Sequence, residues 1–422
     1  MSVPGMSVFG AIERPTLPRP SLSEIRCDLG PLEIGNGLVA LIFSASGPIA
    51  VILAAATAGN LSPEETSSWI LGAFLGNGLL TLFLTWLYRT PYAFFWTIPG
   101  TVLVGDALTQ LAFSEVIGAY IATAILVFLL GWTGLIGRFM AVLPPTIVQA
   151  MVAGIFLHFG LGLIEMTIAD PAIAIPMIVV FVGLSINLPA VQRIARFAPA
   201  VAVAAVFGTA LAFVLDRVSA GILDNGIFAH PELTMPQFSW AAMVELVSPL
   251  AITVVVVQNG QGVAVLSAAG HKPGVNLASA AAGLVSLPMA FIGNVTTCLA
   301  GPTNALITSD PNRARHYAAA MVTAVGAIAV GLASPAFVGF MLAMPASFIT
   351  TLAGIAMLNS LKNAFLAGFS GPYPFGALVC FLVTVSEFKL LGISSPFWGL
   401  ITGCAIALLM DARPSKTGLT RG

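Results

Sequence analysis

The sequence predicts an all-α polytopic membrane protein of fourteen transmembrane segments, arranged as two inverted seven-span repeats. Spans 3 and 10 are each expected to be a short strand followed by a half-helix. Three observations lead there. The 422 residues are 58% hydrophobic and only 8% charged, against roughly 25% charged in a soluble domain. The Lys and Arg residues segregate to one side of a fourteen-span topology. Two segments broken by Pro and Gly, Trp96-Thr97-Ile98-Pro99-Gly100-Thr101 and Thr297-Cys298-Leu299-Ala300-Gly301-Pro302-Thr303-Asn304, recur about 200 residues apart.

Apolar stretches near the roughly 20 residues that cross a bilayer lie at about 36–58, 66–88, 114–135, 143–164, 171–189, 197–215, 242–268, 275–292, 316–333, 335–360, 373–389 and 394–411. The stretches 92–111 and 294–309 are apolar but interrupted, and count as discontinuous spans 3 and 10. With the N-terminus inside, the cytoplasmic basic residues are Arg14, Arg19, Arg26, Arg89, Arg138, Arg193, Arg196, Lys272, Arg313, Arg315, Lys362, Arg413, Lys416 and Arg421; only Arg217 and Lys389 fall outside. Omitting both broken spans would put Arg138, Arg193, Arg196 and Lys272 on the wrong side.

Residues 1–34 are Pro-rich and charged before any apolar run, so they read as a flexible cytoplasmic leader rather than a signal peptide. Residues 412–422 form a cytoplasmic tail. The expected location is a bacterial inner membrane, with many passes and both termini cytoplasmic. Cys27, Cys298, Cys380 and Cys404 are scattered without metal-ligand spacing and read as structural thiols. No metal site, no cofactor and no basic face for nucleic acid is expected.

The repeat is legible in the residues. Pro145, Gly154 and Ile155 match Pro345, Gly354 and Ile355 at one offset, and Gly100 pairs with Gly301 at nearly the same one. Ser46-Gly47-Pro48 pairs more loosely with Asn259-Gly260-Gln261. Seven spans per half is an odd number, so the halves are inverted and a ligand is expected near the midplane between them.

Non-helical backbone survives at membrane depth only where protein or a cavity surrounds it. Phe94 to Thr97 and Val295 to Cys298 favour extended backbone and are able to pair as short strands. Pro99 and Pro302 then sit at helix starts, where a missing N–H costs nothing. The exposed N–H groups of two facing helix ends suit a carboxylate. Phe43, Phe94, Phe95 and Trp96 offer aromatic walls. Ser46, Thr97, Gln258, Asn259, Thr297, Thr303 and Asn304 offer neutral hydrogen bonds, with Gly47, Gly100, Thr101 and Gly301 at the backbone. No Asp or Glu lies in these motifs, which favours an anion.

Phe43-Ser44-Ala45-Ser46-Gly47-Pro48, Leu61-Ser62-Pro63 with Thr66-Ser67-Ser68-Trp69, Trp96-Thr97-Ile98-Pro99-Gly100, Gln258-Asn259, and Asp310-Pro311 leading to Arg313 and Arg315 resemble the benzoate/proton symporter family, BenE, over about 36–411. The resemblance implies the seven-plus-seven inverted repeat shared with uracil and xanthine permeases and sulfate-type anion transporters. It implies a substrate-binding core from 36–135 and 242–333, a gate from 143–215 and 335–411, and a homodimer formed through the gate. Nucleobase permeases carry carboxylates on spans 8 and 10; here those positions offer Gln258, Asn259, Thr303 and Asn304. A nucleobase or other anion permease of the same fold is the alternative.

An ionised carboxylate entering a negative interior needs a co-transported cation, which the resemblance implies is a proton. Intramembrane ionisable groups are candidates by default: Asp106 nearly two turns into the span 3 half-helix and His158 midway along span 5. Glu165, Glu245 and Glu387 fall near span ends and are expected to face water or cap helices. Uptake of the protonated acid, with no dedicated carrier residue, meets the same requirement. A membrane enzyme is disfavoured, because no nucleophile, base and metal pattern is present.

Overall fold

The computed structural model describes residues 12–136, 144–186, 200–219, 226–310, 312–386, 388–390 and 393–411. The first eleven residues of the leader, the tail 412–422, and Arg138, Arg193, Arg196 and Glu387 lie outside the described residues. Among the described residues, seven helices are long and apolar enough to cross a membrane, and seven shorter apolar helices of 10–17 residues accompany them.

Local chemistry sets the first elements. Helix α1 (Leu22–Asp28) begins at Ser21, whose hydroxyl and the Glu24 carboxylate form a capping box. Helix α2 (Pro31–Ala58) starts with Pro31 in its first turn and the Glu33 carboxylate accepting the Gly30 N–H at 3.0 Å. Its interior Pro48 has no N–H to offer the carbonyl one turn back, at Ser44. Helix α3 (Pro63–Tyr88) is capped by Ser62 and Glu65. Strand β1 (Phe94–Trp96) runs directly into α4 (Ile98–Leu108), followed by α5 (Phe113–Thr133), α6 (Pro145–Ala169), α7 (Pro171–Ser185) and α8 (Ala200–Val214).

The second half repeats this order. Helix α9 (Trp240–Ala268) is interrupted by π-helical turns at Met243–Val247 and Thr253–Asn259. Helix α10 (Val275–Ala290), strand β2 (Thr297–Leu299), α11 (Gly301–Ile307) and α12 (His316–Leu332) follow. Helices α13 (Ser334–Ala343), α14 (Ala346–Phe369), α15 (Pro374–Val385) and α16 (Ser395–Ile406) complete the chain, with a small hairpin of β3 (Lys389–Leu390) and β4 (Ile393–Ser394) before α16.

Helix pairs obey the repeat. α3 packs on α12 and, in the matching arrangement, α10 packs on α5, while α6 and α14 pack on each other. Small residues make these approaches close. A Cβ on Gly131 would meet the Ala280 backbone, and one on Gly331 the Leu75 backbone at 2.9 Å. Gly78 and Gly283 are likewise pressed against the Ala324 and Ala124 carbonyls.

The fold class holds: a helical membrane protein whose third and tenth spans are each strand plus half-helix. Two boundary expectations change. The apolar stretch 335–360 is two elements, α13 and α14, because Pro345 cannot continue a helix. The leader, expected to be flexible, is docked over its described residues. Glu13 accepts the N–H groups of Asn276 and Leu277 at 3.2 and 2.8 Å, the start of α10. α1 is clamped by Arg89 to Glu24 at 2.9 Å and by Arg315 to Asp28 at 3.5 Å. Hydrogen bonds from the Ser21 backbone and hydroxyl and from Arg89 hold the Glu24 carboxyl down at about 2.

Candidate binding site between the broken spans

β1 and β2 pair antiparallel, with Phe94 opposite Leu299, Phe95 opposite Cys298 and Trp96 opposite Thr297. Two strands of three residues cannot stand alone, so side chains from neighbouring helices complete them. The Thr81 hydroxyl accepts the Phe94 N–H at 2.9 Å, and the Ser286 hydroxyl accepts the Thr297 N–H at 2.9 Å. Asn259 Oδ1 accepts the Leu299 N–H at 2.7 Å while its Nδ2 donates to Ser279 Oγ at 2.9 Å. Asn304 embraces Ala93: Oδ1 accepts its N–H at 3.1 Å, and Nδ2 donates to the carbonyls of Ala93 at 3.0 Å and Ala300 at 2.7 Å. Both amides are fully buried.

Each strand turns into a helix whose second residue is proline, Pro99 or Pro302. The two starts differ. Thr97 caps α4, its hydroxyl accepting the Gly100 N–H at 3.2 Å and donating to Thr253 at 3.1 Å. Ala300 precedes α11 and offers no side-chain cap. A Cβ on Gly100 would strike Thr97 and come within 2.8 Å of Leu250, and one on Gly301 would come within 2.6 Å of Gln261. Both glycines let the helix starts approach their neighbours.

Between the strand ends and α2 lies a small cavity of about 20 Å³, lined by Phe43, Ser44, Pro48, Phe95, Trp96, Ile98, Gln258, Ala300, Pro302 and Thr303. Its lining carries no acidic side chain. Of the residues expected at the site, Phe43, Trp96, Gln258 and Thr303 are brought together here. Asn259, Asn304, Thr97 and Thr101 are instead engaged in the frame: the Thr101 hydroxyl donates to the Thr97 carbonyl at 2.9 Å. Thr297 is buried with its hydroxyl unpartnered among the described residues. Gly47 sits where a Cβ would collide with Ala356 of α14. Ser46 lines a separate cavity of about 330 Å³ between α2, α8, α13 and α14, and its hydroxyl donates to the Phe43 carbonyl at 3.1 Å.

Sequence reasoning missed Ser44 as a site residue. Its hydroxyl and that of Thr303 share a 3.2 Å hydrogen bond across the cavity wall. The signal was there: in a helix, Ser44 stands one turn before Pro48 and faces the same way. Trp96 brings an indole N–H with no partner among the described residues, a donor ready for an acceptor. The cavity holds room for about one water, so an aromatic guest requires its walls to part.

A larger cavity of about 350 Å³ begins one helical turn away, at Val51 on α2 and Val102 on α4, and extends to Asp106, Thr109, His158, Thr384 and Ser395. Asp106 and His158, named separately from the sequence, therefore line one space. Glu245, expected to face water or cap a helix near its span end, is buried on the first π-helical turn of α9, which packs against α4 and α5. Glu165 is exposed, as expected.

Arg217, one of two basic residues outside the positive-inside pattern, pairs with Asp170 at 2.6 Å. Burial raises the Asp170 carboxyl, but hydrogen bonds from Ser347 and Arg217 outweigh it and hold the group below its ordinary value.

Comparison with known proteins places these features. The family model described as BenE, benzoate membrane transport protein, matches residues 27–409. The benzoate membrane transport protein of Acinetobacter baylyi is 31% identical over 373 residues, covering 87% of this chain and 92% of that protein. The inner membrane protein YdcO of Escherichia coli is 30% identical over 382 residues, covering 89% and 95%. Among solved structures, SLC26A9 superposes with a TM-score of 0.63 at 16% identity, covering 90% of this chain and 64% of that one. The transmembrane domain of the cyanobacterial bicarbonate transporter BicA superposes with a TM-score of 0.59 at 15% identity, covering 88% and 97%. At these identities the structural likenesses establish the fold.

Proposed function

The chain belongs to the benzoate membrane transport protein family, BenE, a family of membrane transporters rather than enzymes, and on that premise we propose that it imports benzoate or a similar aromatic carboxylate by proton symport. The observation that carries this reading is the small cavity at the strand ends. Aromatic faces from Phe43, Phe95 and Trp96 suit a ring. The Trp96 indole N–H, the Ser44 and Thr303 hydroxyls and the Gln258 amide suit a carboxylate. The start of the 11-residue α4 adds a partial positive charge, and the lining has no carboxylate to repel the guest.

Alternating access follows from the architecture in this reading. The core, carrying both strands and half-helices, moves as a rigid body against the gate built around α6 and α14. The cavity lined by Asp106 and His158 then leads to the exterior, since the positive-inside assignment puts the end of α4 there. The protein sits in a bacterial inner membrane with cytoplasmic termini, dimerises through the gate and needs no cofactor beyond the proton gradient.

The test is uptake of radiolabelled benzoate into proteoliposomes under an imposed inward proton gradient, with empty liposomes subtracted for passive entry of the acid. Saturable accumulation that collapses with a protonophore and yields to salicylate but not uracil or sulfate is expected. Competition by uracil or sulfate instead would overturn the substrate.

A further inference from the structure

Resting on that transport reading, we infer that Asp106 and His158 form the proton-coupling site, a carboxylate on the core and an imidazole on the gate sharing one cavity at the seam between the two bodies. Three observations meet here. Both side chains line the same cavity of about 350 Å³, and Asp106 is exposed to it. They come from different helices, Asp106 from the last turn of α4 and His158 from the middle of α6, which the transport reading assigns to core and gate. The cavity starts one turn, about 5 Å along the helices, beyond the strand-end site, since Val51 follows Pro48 on α2 and Val102 follows Ile98 on α4.

The neighbouring ionisable groups single out this pair. Of the elements packed on α4, α9 brings Glu245, buried on its first π-helical turn; α5 brings Glu115, whose carboxylate accepts the Ala112 N–H at 2.9 Å; and α2 has only Glu33, at its opposite end. Along α6, Glu165 and Asp170 lie farther toward the helix end, with Asp170 held by Arg217. Of the elements packed on α6, α14 carries Lys362 near its far end, α15 and α16 carry Cys380 and Cys404, and Asp411 caps the start of α15 at 2.8 Å from the Gly376 N–H. Lys389 lies in the hairpin leading to α16. Among these, Asp106 and His158 are the two whose side chains border the cavity.

The charge balance gives the device its purpose. One proton taken up by the pair adds one positive charge, and one carboxylate entering the strand-end site adds one negative charge. The loaded carrier thus moves no net charge, and burying its seam avoids the cost of an uncompensated ion. Because the groups sit on opposite bodies, their protonation also changes the attraction across the surfaces that slide.

The experiment compares wild-type protein, Asp106→Asn, Asp106→Glu and His158→Gln in proteoliposomes. Each is measured for gradient-driven accumulation of labelled benzoate and for benzoate exchange with equal pH on both sides. The ratio of accumulation to exchange is expected to fall at least tenfold in Asp106→Asn. Asp106→Glu should recover accumulation with a displaced pH midpoint, and His158→Gln should shift the midpoint in wild-type-like yield. An unchanged ratio and pH profile in both Asp106→Asn and His158→Gln would overturn the pair. Loss of exchange together with accumulation in all three variants, with unaltered melting, would also overturn it by making the residues necessary for movement rather than coupling. Absence of both activities in the wild type would instead sink the transport reading.

Discussion

The two broken spans share a backbone plan and divide its duties. β1 with α4 and β2 with α11 are each a three-residue strand leading into a helix with proline at its second position. Yet α4 runs 11 residues and is capped by a threonine hydroxyl, whereas α11 runs 7 residues from an uncapped alanine. A longer aligned stack of peptides carries the fuller dipole, so the start of α4 bears the larger partial positive charge. α11 instead contributes Thr303 to the cavity and Asn304 to the frame. Inverted repeats thus preserve geometry while chemistry diverges: one half-helix polarises, the other braces.

Breaking the brace should have the largest effect. Asn304→Ala strands the buried N–H of Ala93, an unsatisfied group that costs about 1–3 kcal/mol, while the Ala93 carbonyl keeps the Ala300 N–H at 3.0 Å. We expect a clear loss of melting temperature and of folded yield in detergent, with uptake lost in proportion. Its neighbour tests the opposite duty: Thr303→Ala should leave the melting curve nearly in place but weaken benzoate binding by about 1 kcal/mol, the size of one hydrogen bond, read as a KM several-fold higher. If Asn304→Ala melted like the wild type while Thr303→Ala did not, the division of labour would be reversed.

Thr97→Ala sharpens the comparison from the α4 side. Loss of an N-cap costs about 1 kcal/mol, and the Gly100 N–H loses its acceptor, while the Thr253 hydroxyl keeps its bond to the Leu250 carbonyl at 2.9 Å. A modest fall in stability with a raised KM is expected. Ala300→Ser is its mirror experiment, and should be neutral or slightly stabilising in melting if α11 lacks only a cap.

The smallest effect lies outside the spans. Asp310 supplies only a carbonyl to His316 Nε2 at 2.6 Å, so that nitrogen donates, and His316 Nδ1 then accepts from His271 Nε2 at 3.0 Å. Burial first, then His316 and Arg313, hold His271 down at about 4 from its ordinary 6.5. The unfolded chain therefore binds the proton near pH 6.5 and the folded chain only near 4. Stability from this group is full above pH 6.5 and falls as the pH drops from there toward 4. Melting curves at pH 7.5 and 5 should differ in that direction, and His271→Gln should flatten the difference.

Much of this was readable beforehand. Pro99 and Pro302 mark the helix starts, and the aromatic and β-branched runs before them mark the strands. Where the structure adds to the sequence, the cause is contact at a distance. Asn259 and Asn304 looked like ligands because buried amides need partners; their partners are the backbones of Leu299 and Ala93, some 40 and 211 residues away in sequence. Ser46 and Ser44 differ only by which side of α2 they occupy, and that side is set by what packs there. Glu245 reads as a water-facing or capping residue because hydropathy does not register the π-helical turn on which it is buried.

By itself the sequence determined that the chain spans a membrane repeatedly, that its halves are related with opposite orientation, and that two spans are broken into strand and half-helix. Those follow from apolar run lengths, from the placement of Lys and Arg, and from proline's missing N–H, all of which act locally. Only the tertiary structure decided which polar side chains close the frame and which face the cavity, and that Asp106 and His158 share a single space. Such pairings depend on helices brought together across the repeat, where small residues let backbones touch, and no local periodicity encodes which face meets which.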